Sequence, residues 1–191
     1  MILPVRPHFI FDLLPKNKRE VCFKIPPPVR SSDSPSVLEL CLLLAVARIV
    51  GPEAMFEIGT FKGMTSRTLW ENFCGPPIHT LDLDTSIAED LLDNTGVERA
   101  QAHSMQFDFT PFYFEQSLVF IDGAHDYRTV ASDTRHALKM LRTKGPAAVV
   151  WHDFSPAWPG VQAACQELIV TEGSLYHIED TSLCVYLRGI K

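Results

Sequence analysis

Four short stretches of the chain set chemically capable residues directly behind apolar runs. The first, Glu57-Ile58-Gly59-Thr60-Phe61-Lys62-Gly63, carries glycines that would let a ligand approach the backbone. The second ends in Asp82, 19 residues beyond Gly63, about where a doubly wound nucleotide binder places the acid that accepts hydrogen bonds from ribose hydroxyls. Asp84 is its local competitor. The third is Phe120-Ile121-Asp122-Gly123-Ala124-His125-Asp126-Tyr127, and the fourth is Trp151-His152-Asp153-Phe154. The glycines of the first stretch are spaced Gly-x-x-x-Gly, which misses the dinucleotide fingerprint and leaves NAD behind as a ligand.

Asp122, His152 and Asp153 together could bind a divalent cation, because carboxylates suit hard ions such as magnesium and imidazole suits transition metals. The plainer alternative is that Asp122 caps the following helix or holds a loop amide while His152 hydrogen-bonds in an apolar setting.

These residues share a cleft only if the apolar runs form one sheet. Runs at 54–58, 78–83, 117–121 and 147–151 read as buried parallel strands, with a weaker strand at 100–104. Helical patterns lie between them at 64–73, 87–94, 127–141 and 161–169. In the third of these, Val130, Thr134, Ala137, Leu138 and Leu141 fall on one face. A further helix over 37–50 has Ser34 as its cap and Pro35 as its first residue, and ends at Gly51. Two strands at 175–178 and 183–187 are too close for a parallel crossover, so they form an antiparallel hairpin. The expected fold is therefore α/β, a doubly wound, mostly parallel sheet closed by a C-terminal antiparallel hairpin. All four chemical stretches then fall at the carboxyl ends of strands, where such sheets bind ligands.

Residues 1–35 are proline-rich, including Pro26, Pro27 and Pro28, and read as an N-terminal arm preceding a single domain over 36–191. The arm packs on the core, covers the site or joins a homo-oligomer. The aromatic run Phe107, Phe109, Phe112, Tyr113 and Phe114 reads as packing beneath a loop, His136 as solvent-facing, and Lys16, Lys18 and Arg19 as a solvated surface. A formal charge of −6 over 191 residues argues against nucleic acid as a partner. The longest apolar run is too short to span a bilayer. Five cysteines without a C-x-x-C pair fit a reducing, cytoplasmic setting.

The stretch FEIGTFKGMTSRTL resembles the first motif of class I S-adenosylmethionine-dependent methyltransferases. VFIDGAHDYRTVASD and VVWHDF resemble the later strand ends of their small-molecule O-methyltransferase branch, related to catechol O-methyltransferase and antibiotic-sugar O-methyltransferases. The resemblance spans about residues 35–190 and implies a Rossmann-like methyltransferase fold. It implies that Glu57, Gly59, Thr60 and Gly63 surround the methionine part of S-adenosylmethionine, that Asp82 holds the ribose, that Ser104 sits near the adenine, and that Asp122 lies beside the sulfonium. In metal-dependent relatives the counterparts of Asp122, His152 and Asp153 bind magnesium. Two positions depart from the pattern: Ala102 and His103 replace a Gly-Asp pair, and His152 offers nitrogen where relatives offer oxygen.

The expected activity is methyl transfer to a small-molecule acceptor at a hydroxyl. His125, His152 and Asp153 are the candidate catalytic groups by position, with Asp122 beside them, and histidine is best suited to proton transfer near neutral pH. The competing expectations are a metal-dependent, hydroxylase-like oxidoreductase on the same scaffold and a non-catalytic S-adenosylmethionine-binding protein.

Overall fold

A computed structural model describes residues 1–15, 23–24, 34–167 and 174–190. Its eight strands are β1 (Leu3–Val5), β2 (Met55–Ile58), β3 (Ile78–Asp82), β4 (Val97–Gln101), β5 (Leu118–Ile121), β6 (Ala147–Trp151), β7 (Ser174–Ile178) and β8 (Cys184–Arg188). They form one sheet in the order β1-β7-β8-β6-β5-β2-β3-β4. From β6 to β4 all neighbours are parallel, and β8 runs antiparallel to both β6 and β7.

The helices are α1 (Pro7–Asp12), α2 (Val37–Val50), α3 (Met64–Asn72), α4 (Glu89–Leu92), α5 (Tyr127–Met140) and α6 (Pro159–Gln166). Strand residues alternate between two apolar layers, as the two-residue period of a strand requires. In β5, Leu118 and Phe120 join the layer of α2 and α3, while Val119 and Ile121 join the layer built around α5 and α6. This two-sided burial is why the central strands read as continuous apolar runs.

Several boundaries differ from expectation. The cap of α2 is Ser36, not Ser34: its hydroxyl accepts from the Glu39 amide while Glu39 reaches back to the Ser36 amide. The weak strand is 97–101 rather than 100–104, an edge strand whose mostly exposed residues carry little apolar pattern. The expected helix at 87–94 is a 3₁₀ turn, Ser86–Ala88, followed by the single turn of α4. Helix α6 begins at Pro159, and residues 168–169 of its expected span lie outside the described residues.

The beginning of the N-terminal arm packs on the domain. Strand β1 lies parallel to β7 at the sheet edge, where a proline is tolerated, and Ile10 and Leu14 are buried in the core. Pro26–Pro28, Lys16, Lys18 and Arg19 lie outside the described residues. His136 is not solvent-facing: its Nδ1 lies 2.7 Å from the Tyr113 hydroxyl and its ring stacks on Phe109. Of the aromatic run, Phe107, Phe109 and Phe112 pack with Phe56 as expected, whereas Phe114 is 58% exposed. Among the described residues no helix is long and apolar enough to cross a membrane.

Candidate active site

A cavity of about 630 Å³ opens across the carboxyl ends of β2 to β6, within the volume range of small-molecule sites. The parallel ladder sets out its wall in order. Ser104 follows β4, Asp82 ends β3, Gly59 follows β2, Asp122 follows β5, and His152 with Asp153 follows β6. His125 and Trp158 close the side nearest β5 and β6.

The turn after β2 is wedged between its neighbours. Gly59 donates to the Leu81 carbonyl at 2.8 Å, and the Asp122 amide donates to the Ile58 carbonyl at 2.8 Å. Gly59 has φ +96°, and a Cβ there would lie 2.0 Å from the Asp122 carbonyl oxygen. Only glycine fits this crossing. One oxygen of Asp82 accepts from the Thr60 and Phe61 amides at 2.7 Å each, so the carboxylate that faces the cavity also pins the turn.

Glu57, Thr60 and Gly63 stand behind this wall rather than on it. Glu57 is buried and accepts from the Ser66 hydroxyl and, at 2.9 Å, from Thr80 Oγ1. Burial pushes its pKa up to about 8, against the pull of those two hydroxyls. The Thr60 and Thr80 hydroxyls lie 2.6 Å apart. Gly63 has φ +80° and caps α3, with Leu92 Cγ 2.7 Å from where a Cβ would stand.

His152 occupies a cage of carboxylates. Ser182 Oγ donates to Glu39 Oε1 at 2.7 Å, so Ser182 can only accept at its 3.1 Å contact with His152 Nε2, which places a proton on Nε2. Among the described residues Nδ1 is buried without an aligned hydrogen bond, 3.1 Å from Asp122 Oδ1 and 3.4 Å from Asp153 Oδ2. Nδ1 therefore carries a second proton or meets another cation. Burial alone would lower the pKa of this histidine, but Asp122, Asp153 and Glu39 together raise it to about 12. Glu39 is held well below the usual carboxylate range: its burial is outweighed by bonds from His152, Ser182 and Ser36.

His125 has a different environment. Its Nε2 lies 2.7 Å from Asp153 Oδ2, and its ring stacks on Trp158 with centroids 3.9 Å apart. Asp153 adopts φ +58°, a strained conformation for a non-glycine residue that turns its carboxylate toward both histidines. Burial tends to raise Asp153, but the two histidines outweigh it and lower the pKa. Gly160 lets α6 approach this loop, since a Cβ there would lie 2.3 Å from the His125 carbonyl oxygen.

The donor set fits a divalent cation. One ligand atom each from Asp122, His152 and Asp153 lies within 4.8 Å of the others, and the unpartnered Nδ1 lies between the two carboxylates. The protonated Nε2, held by Ser182 and Glu39, matches the outer-sphere support of a metal-bound histidine. A nitrogen donor favours a transition metal over magnesium.

Gly59, Asp82, Ser104, Asp122, His125, His152 and Asp153, expected from the sequence, lie on this wall; Trp158 on the wall, and Glu39, Gly160 and Ser182 behind it, were not expected. Glu39 was visible as a charge interrupting an apolar helix.

A doubly wound sheet with an acid at the end of β3 and a tight glycine turn after β2 defines a nucleotide-type ligand site. A family model described as a methyltransferase domain matches residues 56–154, about half of the chain, and the protein belongs to that family. No curated protein matches the chain by sequence. Among solved structures, an O-methyltransferase from Bacillus cereus in complex with S-adenosylhomocysteine is 18% identical with a TM-score of 0.66, covering 84% of each chain. A methyltransferase from Podospora anserina, also bound to S-adenosylhomocysteine, is 14% identical with a TM-score of 0.69, covering 85% of this chain and 83% of its own. The O-methyltransferase TomG from Streptomyces achromogenes, solved with S-adenosylmethionine, is 18% identical with a TM-score of 0.66, covering 83% and 82%. At these identities the likeness is one of fold.

Proposed function

We propose that the protein is an S-adenosylmethionine-dependent methyltransferase that acts on a hydroxyl of a small-molecule acceptor. The observation that carries this reading is the ordered cavity wall, with the Gly59 turn, Asp82 and Ser104 on one side and the His125–Asp153 pair on the other. The family supports it, as do structural neighbours solved with S-adenosylmethionine or its demethylated product. Neither the oxidoreductase nor the non-catalytic alternative is favoured by these relatives.

The cofactor supplies an electrophilic methyl on a sulfonium, so the protein has to align, exclude water and handle one proton. Asp82 accepts from ribose hydroxyls, and the Gly59 turn admits the methionine part against the backbone. Asp122 stands on the wall between the Gly59 turn after β2 and the His152–Asp153 pair after β6. His125 takes the acceptor's hydroxyl proton, and Asp153 orients its ring through the 2.7 Å contact. When no metal is bound, His152, enclosed by three carboxylates, is unsuited to proton exchange and serves as a fixed cation that holds Asp122 and Asp153 in place. If a divalent cation is bound, Asp122, His152 and Asp153 hold it, and it supplies Lewis-acid stabilisation of the acceptor's oxyanion.

The test is methyl transfer from labelled S-adenosylmethionine to a panel of hydroxyl-bearing phenols and sugars. An O-methylated product formed by the wild type and not by His125→Gln is expected. Cofactor binding without transfer to any acceptor would overturn the catalytic reading.

A further inference from the structure

Asp133 is the one acid of α5 placed on its apolar face, among Val130, Thr134 and Ala137. It is 1% exposed, and neither carboxylate oxygen has a hydrogen-bond partner among the described residues. A buried carboxylate in that state is costly, so something in the working protein must answer it. The neighbouring Thr134 hydroxyl already accepts from Trp151 Nε1 at 2.9 Å. Asp133 lies one helical turn beyond Thr129, a residue of the cavity wall, and α5 packs against the 3₁₀ turn Ser104–Gln106. Burial pushes the acid up to about 6, and the nearby Ser104 hydroxyl, not aligned as a hydrogen bond, opposes that rise. Ser104 itself faces the cavity.

The order of the sheet says which part of the ligand meets Ser104. Moving outward from Gly59 at β2, the wall passes Asp82 at β3 and then His103 and Ser104 beyond β4. With ribose at Asp82, the base lies over Ser104. A serine hydroxyl has one proton and two lone pairs, whereas a carboxylate only accepts. If Ser104 gives its proton to Asp133, it can present only lone pairs to the cavity.

We propose that Asp133 is a specificity-determining residue that polarises Ser104 as an acceptor, so that the site selects a base bearing an exocyclic amine, as adenine does, over one bearing a carbonyl. This rests on the S-adenosylmethionine reading. A rotation of the Ser104 side chain as the ligand binds completes the bond to Asp133. With Ser104 opposite the exocyclic substituent, a carbonyl there would face lone pairs with lone pairs, and sites built on such directed bonds discriminate strongly.

The experiment compares S-adenosylhomocysteine with S-inosylhomocysteine by calorimetry, for the wild type, Asp133→Asn, Ser104→Ala and the double variant. The wild type should prefer the adenosyl ligand at least about tenfold. Asp133→Asn should reduce that preference to less than about threefold, because the Asn amide can donate to Ser104 and free its proton for the cavity. Ser104→Ala should lose the preference as well, and adding Asp133→Asn to it should change nothing more. A purely structural Asp133 would weaken both ligands alike and leave the ratio intact, which overturns the proposal. If Asp133→Asn does not fold, an undiminished preference in Ser104→Ala overturns it equally. Wild-type protein that binds neither ligand would instead overturn the cofactor reading on which the proposal stands.

Discussion

Gly59→Ala puts the architecture of the site under direct strain. The added Cβ would lie 2.0 Å from the Asp122 carbonyl oxygen, 2.4 Å from its carbon and 2.7 Å from Gly123 Cα. All three are backbone atoms, so no side chain can rotate away. An ordinary carbon–oxygen contact needs about 3.3 Å, so the Asp122 backbone must move by more than about 1 Å. It is held there by its own amide's bond to Ile58 and by the His152 amide on Ile121. The φ of +96° adds strain of about 1–3 kcal/mol, and overpacking a further 1–3 kcal/mol or so. The sum, about 2–6 kcal/mol, corresponds to a fall in Tm of about 5–20 °C for a chain of this size. Differential scanning fluorimetry measures the fall, and calorimetry should show S-adenosylhomocysteine binding weakened at least about tenfold as Asp122 shifts. A Tm within about 2 °C of wild type with unchanged affinity would refute the claim that β2 and β5 meet through this glycine.

His125→Gln should lower kcat by about 10²–10⁴ while changing S-adenosylhomocysteine affinity less than about threefold, as checked by initial rates and calorimetry. The folded state keeps the Glu57 proton up to a pKa of about 8, whereas the unfolded chain releases it near 4.5. Folding therefore binds a proton between those values, and stability falls as pH rises through the window. Denaturant titrations should show Glu57→Gln gaining on wild type from pH 5 to pH 8, by at most about 5 kcal/mol, and an unchanged difference would exclude the raised acid. For chelator-treated protein, manganese or zinc should raise Tm more than magnesium, and His152→Ala should abolish the gain. No metal effect on Tm or activity would leave the imidazolium as the only cation in the cage.

The central sheet was legible because strands buried on both faces announce themselves as apolar runs, and the site followed because each run ends in a chemical residue. Strand β4, VERAQ, is an edge strand with most of its side chains in solvent, so its pattern was faint and its register misplaced by three residues. The Ser36-x-x-Glu39 capping box was present in the sequence, but Ser34 before Pro35 competed for the same role. Strand β1 holds a proline and finds its partner at the far end of the chain, a pairing that no local signal encodes. The His152 cage escaped for the same reason: Glu39 and Ser182 are 143 positions apart and meet only through the sheet. Asp133 was detectable as an acid within the apolar stripe of a helix, though its relation to Ser104 required the packing of α5 on the turn after β4.

The most direct test of the central claim is a calorimetric titration of the purified protein with S-adenosylhomocysteine, alongside Asp82→Asn, which keeps an oxygen for the Thr60 and Phe61 amides and removes the charge. Micromolar binding by the wild type, about −8 kcal/mol, and a loss of roughly 10–100-fold in the variant are the predicted results. No binding by the wild type at millimolar ligand, or equal affinity in the variant, would contradict the assignment of this cavity to the cofactor.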